Sequence, residues 1–589
     1  MRRGFSRTIL VRKGRSFMNE PAIITNPARC RDCYRCVRHC DVKAIRLQDG
    51  QAQVVPELCI VCGTCIRTCP QKAKDVPSAT PDVKQAIRNG RKVIASVAPS
   101  APAYFGFHQF SEMEAALKQL GFYAAQETAL GAEIVSLAHR EYMGKMPERR
   151  PVIASSCPVV VTLMEKYYPD LLGHLAPIVS PMIAHGRMLS KQYGPDAYIV
   201  FIGPCIAKKM EICDGAVAGV VSAAITFRGL AHWFKDASIT FERPDADIHP
   251  SPSADARLFP LEGGLIGAAG LSTNMLENDL VVASGLETCR NILGDIRAGR
   301  LSASLVELMA CTGGCINGPA MSDLPGGIYA ARQNIINYHR HRPAYKTPAR
   351  NEWPDLSRSY ADKQQTLPEF SEEQIQDVLH RVNKYTPEDE LNCGACGYSS
   401  CREKAIATLC GMAEVTMCIP YMRRRSESLR QVVMDVSPNA IFILDDHLAI
   451  QDISPSAERI FGCSLADVKG RHISCLIPLY DDFVAVRDTG KPVIAKIRRI
   501  NDRLVAEQNI VRVEGQLLLV AIMRDITEHE SEKRKFLELR AQTLEQTREV
   551  VRKQMRVAHE IAHLLGETTA ESKMIVTHLA KLLEEDEPK

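Results

Sequence analysis

Cysteine spacing constrains this chain more than any other feature. Cys30, Cys33, Cys36 and Cys40 form a CxxCxxCxxxC run, and Cys59, Cys62, Cys65 and Cys69 repeat it, followed by Pro70. A third group, Cys393, Cys396, Cys401 and Cys418, lies in NCGACGYSSCREKAIATLCGMAEVTMCIPYM. Thiolates are soft donors that suit zinc or iron–sulfur sites. Of the 21 cysteines in 589 residues, sixteen fall into groups with metal-ligand spacing, once Cys157, Cys205, Cys311 and Cys315 are added. Such widely separated groups argue against a small secreted disulfide scaffold. Thiolates kept as ligands point to a reducing compartment, so the chain is expected in the cytoplasm. Its length anticipates several domains.

The two N-terminal runs, expected as a domain over 21–80, resemble two-cluster bacterial ferredoxins. The resemblance implies that Cys30, Cys33, Cys36 and Cys69 hold one 4Fe–4S cluster, and Cys59, Cys62, Cys65 and Cys40 the other. Asp41 stands where the usual proline would follow the first run. The third group, over 386–425, resembles the small iron–sulfur domain of electron-transfer and corrinoid proteins, which implies a third 4Fe–4S cluster on Cys393, Cys396, Cys401 and Cys418. Gly394 and Gly397 would let the backbone wrap closely around it. Structural zinc is the alternative at each group, and Cys410 is read as a core thiol.

Over 91–345 short apolar strands alternate with helical stretches. KVIASVAP, PVIASSCP, AYIVFIGPC and DLVVASG each end in Pro, Gly or Cys, as parallel strands do when they deliver site residues at their carboxyl ends. Three loops stand out: ASSCP (154–158), GPCIAKKME (203–211) and ELMACTGGCINGPA (307–320). Cys157, Cys205, Cys311 and Cys315 from these loops would complete one more cubane.

In order and in content these loops resemble the signature loops of iron–iron hydrogenases. The resemblance implies a hydrogenase-type α/β domain with an H-cluster, in which the four cysteines hold a 4Fe–4S cluster. The position of Cys315 also bridges to a two-iron centre carrying carbonyl, cyanide and an azadithiolate. Lys208 matches the lysine that hydrogen-bonds a cyanide ligand; its other reading is a surface lysine. Met309 and the loop Ala98-Pro99-Ser100 match positions lining the two-iron site. The departures are Ser156, where hydrogen-evolving members carry a proton-shuttling cysteine, Gly203 before Pro204, where methionine is usual, and Met182, where glutamine is common. Ala138 and His139 stand at two expected acids, and CINGPA replaces consecutive glycines. A serine hydroxyl is far less acidic than a thiol with a pKa of about 8.5, so it relays protons poorly. Redox response is expected to survive, with low turnover.

After a linker expected over 346–385, residues 430–528 resemble a PAS sensory domain, a five-stranded sheet ending in the D-I-T-type junction Asp525-Ile526-Thr527. Cys463, His472 and Cys475 could bind metal or haem, or simply pack. A coiled coil is expected over 529–585, with Leu537, Leu544, Val551, Ala558 and Leu565 seven apart and Ala541, Met555 and Ala562 on the second seam. It implies a homodimer through PAS and coiled coil. The string HEIAH, His559 to His563, has three readings: a zinc site, a phosphoacceptor box, or a solvated flank. Thr569 occupies the third-histidine position that a protease would need.

Hydrophobic content of 46% and charged content of 24% are ordinary. A net charge of +4 is small for this length, so nucleic acid is not expected as a partner. No apolar run approaches a membrane span. The stretch before Met18 carries six basic residues and no acid; it reads as a basic disordered arm over 1–20, or Met18 is the true start. The order of parts, a multidomain α/β and α+β chain, resembles a sensory, PAS-linked iron–iron hydrogenase. That implies dihydrogen and protons, a ferredoxin-like electron donor or acceptor, hydrogenase maturation proteins, and a downstream kinase, phosphatase or cyclase. The alternatives are a slow ferredoxin-dependent hydrogenase and a redox sensor with cubane clusters only.

Overall fold

The computed structural model describes residues 22–145, 151–241, 255–272, 274, 279–321, 324, 326–340, 349–366, 368–513, 517–565 and 569–584. The arm expected at 1–20 lies outside them. The chain divides into two compact units, one ending at Tyr421 and the next beginning at Met422.

The first unit opens with four short strands, β1 (Ile24–Thr25), β2 (Ile45–Gln48), β3 (Gln51–Val54) and β4 (Lys74–Asp75), paired antiparallel as β1–β4 and β2–β3. Asp49 and Gly50 both take positive φ, as a two-residue hairpin turn between β2 and β3 requires. One-turn helices, Arg35–Arg38 and Thr64–Thr68, carry Cys36 and Cys65.

Seven parallel strands follow: β5 (Val93–Val97), β6 (Ala124–Glu127), β7 (Val152–Ile153), β8 (Tyr198–Gly203), β9 (Ala223–Thr226), β10 (Leu280–Ser284) and β11 (Leu305–Met309). Each apolar run expected as a strand contributes one, namely β5, β7, β8 and β10. They form two sheets, ordered β6-β5-β8-β9 and β10-β11-β7. All five residues of β5 are buried, which explains why it reads as an apolar run and not as alternation; β11 is buried throughout as well, although Glu307 interrupts its apolar run. The first sheet packs in a core with Met113, Leu117 and Phe227 fully buried, which Val152 of β7 and Leu305 of β11 also join. The second sheet shares a core with the N-terminal segment and the third cysteine group: Val160, Leu163 and Val306 belong to the same cluster as Val37, Ile60 and Met417.

Residues 346–385, expected as a linker, carry structure in their described part. Val179 N–H donates to Leu356 O at 2.9 Å, Arg358 N–H to Pro177 O at 3.2 Å, and Lys363 N–H to Glu165 O at 2.8 Å. This strap continues the hydrogen bonding of the first unit. The helix Glu372–His380, capped by Ser371, then packs on the helix Cys401–Leu409.

The second unit holds one antiparallel sheet ordered β13-β12-β16-β15-β14, built from β12 (Ala440–Asp445), β13 (Ile450–Ile453), β14 (Val493–Asn501), β15 (Leu504–Arg512) and β16 (Leu518–Asp525). Phe442 and Phe483 are fully buried in its core. The Asp525 carboxylate accepts the Thr527 N–H at 2.9 Å and so begins the 39-residue helix Thr527–Leu565. His559 and Glu560 of HEIAH are exposed on that helix, and the His563 side chain lies outside the described residues. Among the described residues no helix is long and apolar enough to cross a membrane.

Candidate functional site

The carboxyl ends of β5, β7, β8 and β11 converge on one cavity of about 100 Å³. Cys157, Cys205, Cys311 and Cys315 all line it, together with Ala98, Pro99, Ser100, Ser156, Met182, Pro204, Lys208 and Met309. Gly203 is not on its wall. A Cβ there would lie 2.6 Å from the Phe201 ring and 3.2 Å from Ala98 Cβ, so Phe201, which does line the cavity, fills the room that a larger residue at 203 would take. The glycines of the third loop have a similar cause. Gly314 has φ +93°, and a Cβ on it would strike Pro260 O at 2.3 Å, while Cys315 N–H donates to that same carbonyl at 2.8 Å.

Burial, with repulsion from Cys157, pushes the Cys205 thiol up to about 11, and burial with repulsion from the neighbouring cysteines raises Cys311 and Cys315 as well. As free thiols these groups hold their protons, so a metal cluster must displace them on binding. All 21 cysteines are free of disulfides. Among the described residues no three His, Cys, Asp or Glu side chains close tightly enough around a single ion. The remaining wall suits a group with polar ligands set in an apolar shell. Ser100 and Ser156 Oγ are buried with no hydrogen-bond partner among the described residues, and Lys208 supplies a cation.

Lys208 is fixed from behind. Its Nζ donates to Glu211 Oε2 at 2.7 Å, and Glu211 Oε1 accepts from Arg358 of the strap at 2.8 Å. Burial alone would raise the Glu211 carboxyl, but Lys208 and Arg358 outweigh it and hold it below its ordinary value. His139, at a position where an acid is expected, is fully buried, and burial lowers it to about 4. Its Nδ1–H donates to Val135 O at 2.8 Å, so Nε2 is left to accept from Ser155 N–H at 3.3 Å. It is a neutral prop for the ASSCP loop. Sequence reasoning missed Glu307, an acid inside the apolar strand β11. Its carboxyl lines the cavity, accepts N–H bonds from Leu265 and Ile266, and is pushed up to about 7 by burial.

The other cysteine groups are drawn together as well. Cys30, Cys33, Cys36 and Cys69 line one small cavity, and Cys393, Cys396, Cys401 and Cys418 line another with Lys384 and Lys404. Cys59 and Cys62 lie close enough to Cys40 and Cys65 to help raise the thiols of those two, after burial. These groups are in series. Arg38 donates to Cys33 O at 3.0 Å and to Ala395 O at 3.3 Å, joining the third group to the first run. A Cβ at Gly63, between Cys62 and Cys65, would strike Pro319 at 2.5 Å and Ile206 at 2.9 Å, so the second run is pressed onto the loops of Cys205 and Cys315. In the second unit His472 Nδ1 lies 2.8 Å from Ser474 Oγ and its ring meets Tyr480 edge-on.

Residues 91–319 match the family described as iron only hydrogenase large subunit, C-terminal domain. Residues 22–85 match a 4Fe-4S dicluster domain, 389–420 a putative Fe-S cluster family, and 427–502 a PAS domain. The chain is 29% identical over 366 residues to the periplasmic [Fe] hydrogenase large subunit of Nitratidesulfovibrio vulgaris, covering 51% of this chain and 87% of that protein. It is 28% identical over 375 residues to the NADP-reducing hydrogenase subunit HndD of Solidesulfovibrio fructosivorans, covering 50% and 64%. A solved [FeFe]-hydrogenase HydA1 from Chlamydomonas reinhardtii matches at 19% identity over 48% of this chain and 91% of that one, with a TM-score of 0.37. The chain is thus an iron–sulfur protein that carries an iron-only hydrogenase-like large-subunit domain between a 4Fe-4S dicluster ferredoxin domain and a C-terminal PAS domain.

Proposed function

We propose that this chain senses dihydrogen or electron supply at its hydrogenase-like domain and passes the resulting redox state, through the PAS domain and the long helix, to a separate kinase, phosphatase or cyclase. In this reading three 4Fe–4S clusters sit on Cys30, Cys33, Cys36 and Cys69, on Cys59, Cys62, Cys65 and Cys40, and on Cys393, Cys396, Cys401 and Cys418. Cys157, Cys205, Cys311 and Cys315 hold an H-cluster, inserted by hydrogenase maturation proteins. When bound, that group supplies reversible interconversion of dihydrogen with two protons and two electrons. The chain's own residues do the rest. Lys208, oriented by Glu211, presents a charged donor to an anionic ligand. The Ser100 and Ser156 hydroxyls present neutral donors, and the apolar wall excludes water. A ferredoxin-like partner exchanges electrons, and the protein works as a homodimer in a reducing compartment.

The observation that carries the sensory reading is Ser156. Its hydroxyl is buried with no hydrogen-bond partner among the described residues, where hydrogen-evolving relatives carry a thiol, and the nearby His139 is held neutral, so neither relays protons quickly. Glu307 favours the second reading, slow catalysis, because a carboxyl near 7 on the cavity wall can exchange a proton at neutral pH. Infrared spectra of protein matured with hydrogenase assembly factors test both. Carbonyl and cyanide bands are expected, with low dihydrogen turnover that rises roughly tenfold or more in Ser156→Cys. Robust wild-type turnover, unmoved by that substitution, favours the enzyme. Missing bands under competent maturation leave a cubane-only redox sensor.

A further inference from the structure

Lys74 is only 4% exposed, on β4 beside β1. Its Nζ donates to Thr25 Oγ1 and to Ala52 O, each at 2.6 Å. Both acceptors are neutral, and no ion pair of Lys74 occurs among the described residues. A buried ammonium with neutral partners is strongly unfavourable unless negative charge lies close by. Lys74 lines the cavity of Cys30, Cys33, Cys36 and Cys69. The strand β4 that carries it also packs against the helix Thr64–Thr68, which holds Cys65 of the second set. Asp32 lines the first cavity too, but it is only half-buried and bonded by the Tyr34 hydroxyl. The cation therefore faces both ferredoxin-type sets from within the core.

We propose that Lys74 is the electrostatic control of the electron relay: a fixed buried cation whose field raises the reduction potentials of both clusters in the dicluster domain. The inference rests on the dicluster reading of residues 22–85 and not on the two-iron centre. Reduction adds one electron, and so one unit of negative charge, to a cluster, with the electron supplied by an outside reductant and no bond made or broken. A fixed cation stabilises the reduced form more than the oxidised one, and net charge and hydrogen bonding near the sulfurs set cluster potentials. Because Lys74 acts on both sets, it moves them together, so that neither becomes a trap for the electron.

The test is an EPR-monitored redox titration of the full chain with iron and acid-labile sulfide counted, as wild type, Lys74→Gln and Lys74→Arg. Glutamine keeps a donor for Thr25 and Ala52 and loses the charge, whereas arginine keeps the charge. The expected result is a shift of both dicluster potentials to more negative values in Lys74→Gln and little shift in Lys74→Arg. Failure of Lys74→Gln to retain clusters while Lys74→Arg retains them supports the same requirement for charge. Unchanged potentials in loaded Lys74→Gln overturn the inference alone, and loss of clusters in both variants assigns position 74 a structural role and overturns it equally. A wild type without the dicluster signals would sink the dicluster reading itself.

Discussion

His139 reaches the ASSCP loop through Ser155, and its burial gives the folded chain a signature in acid. The imidazole takes a proton near 6.5 when unfolded but only near 4 when folded, so the unfolded state binds more protons between those limits. The stability is fully present above about 6.5 and is lost as pH falls toward 4, by on the order of 3 kcal/mol. His185, fully buried and lowered to about 3, acts in the same direction. Urea midpoints of His139→Gln followed from pH 7 to 4.5 should fall less steeply than those of the wild type, by about one proton's worth of slope. Identical slopes would mean that His139 is charged inside the fold. None of this is legible in IVSLAHREY, where His139 reads only as a replaced acid.

Among the elements, the strap over 349–366 departs most from its sequence. Nothing periodic marks it, and its central contact joins Arg358 to Glu211 across 147 positions. Arg358 and Glu211 side chains are 3% and 1% exposed. Arg358→Met should therefore destabilise the first unit by about 3–5 kcal/mol, since it strips a buried carboxylate of one counter-charge. Arg358→Met combined with Glu211→Gln should cost clearly less than the two changes summed. Additive losses in chemical denaturation would deny the coupling. The strands are the opposite case: β5, β7 and β8 are legible because buried parallel strands are largely apolar, and β10, only partly buried, is legible by its apolar run; all four end in Pro, Gly or Cys. Their division into two sheets is not legible, because a run of Val and Ile does not say which neighbour it pairs with. The cysteine sets owe their legibility to spacing, whereas Lys74 and Glu307 do not have it. A lone charge in a short strand looks like a solvent-facing residue until its backbone partners, Ala52 O for one and the N–H groups of Leu265 and Ile266 for the other, are in place.

For the whole molecule, the seam of Leu537, Leu544 and Val551 carries the expectation of a dimer, and Leu537 is 52% exposed. Sedimentation of the full chain should give a dimer that Leu544→Lys converts to monomer while the dicluster EPR signals persist; a monomeric wild type would remove the coiled coil from the signalling scheme. The core shared by the second sheet and the N-terminal segment bears on ancestry. Lys166 donates to Pro56 O and Cys59 O at 2.8 and 2.9 Å, and Tyr167 donates to Leu58 O at 2.6 Å, all from the helix that starts beside Cys157. The ferredoxin segment is inlaid, not appended. It could not be shuffled away in descent without leaving that helix with a bare lysine, a bare tyrosine and an open apolar face, so any lineage that dropped it should have rewritten the helix as well.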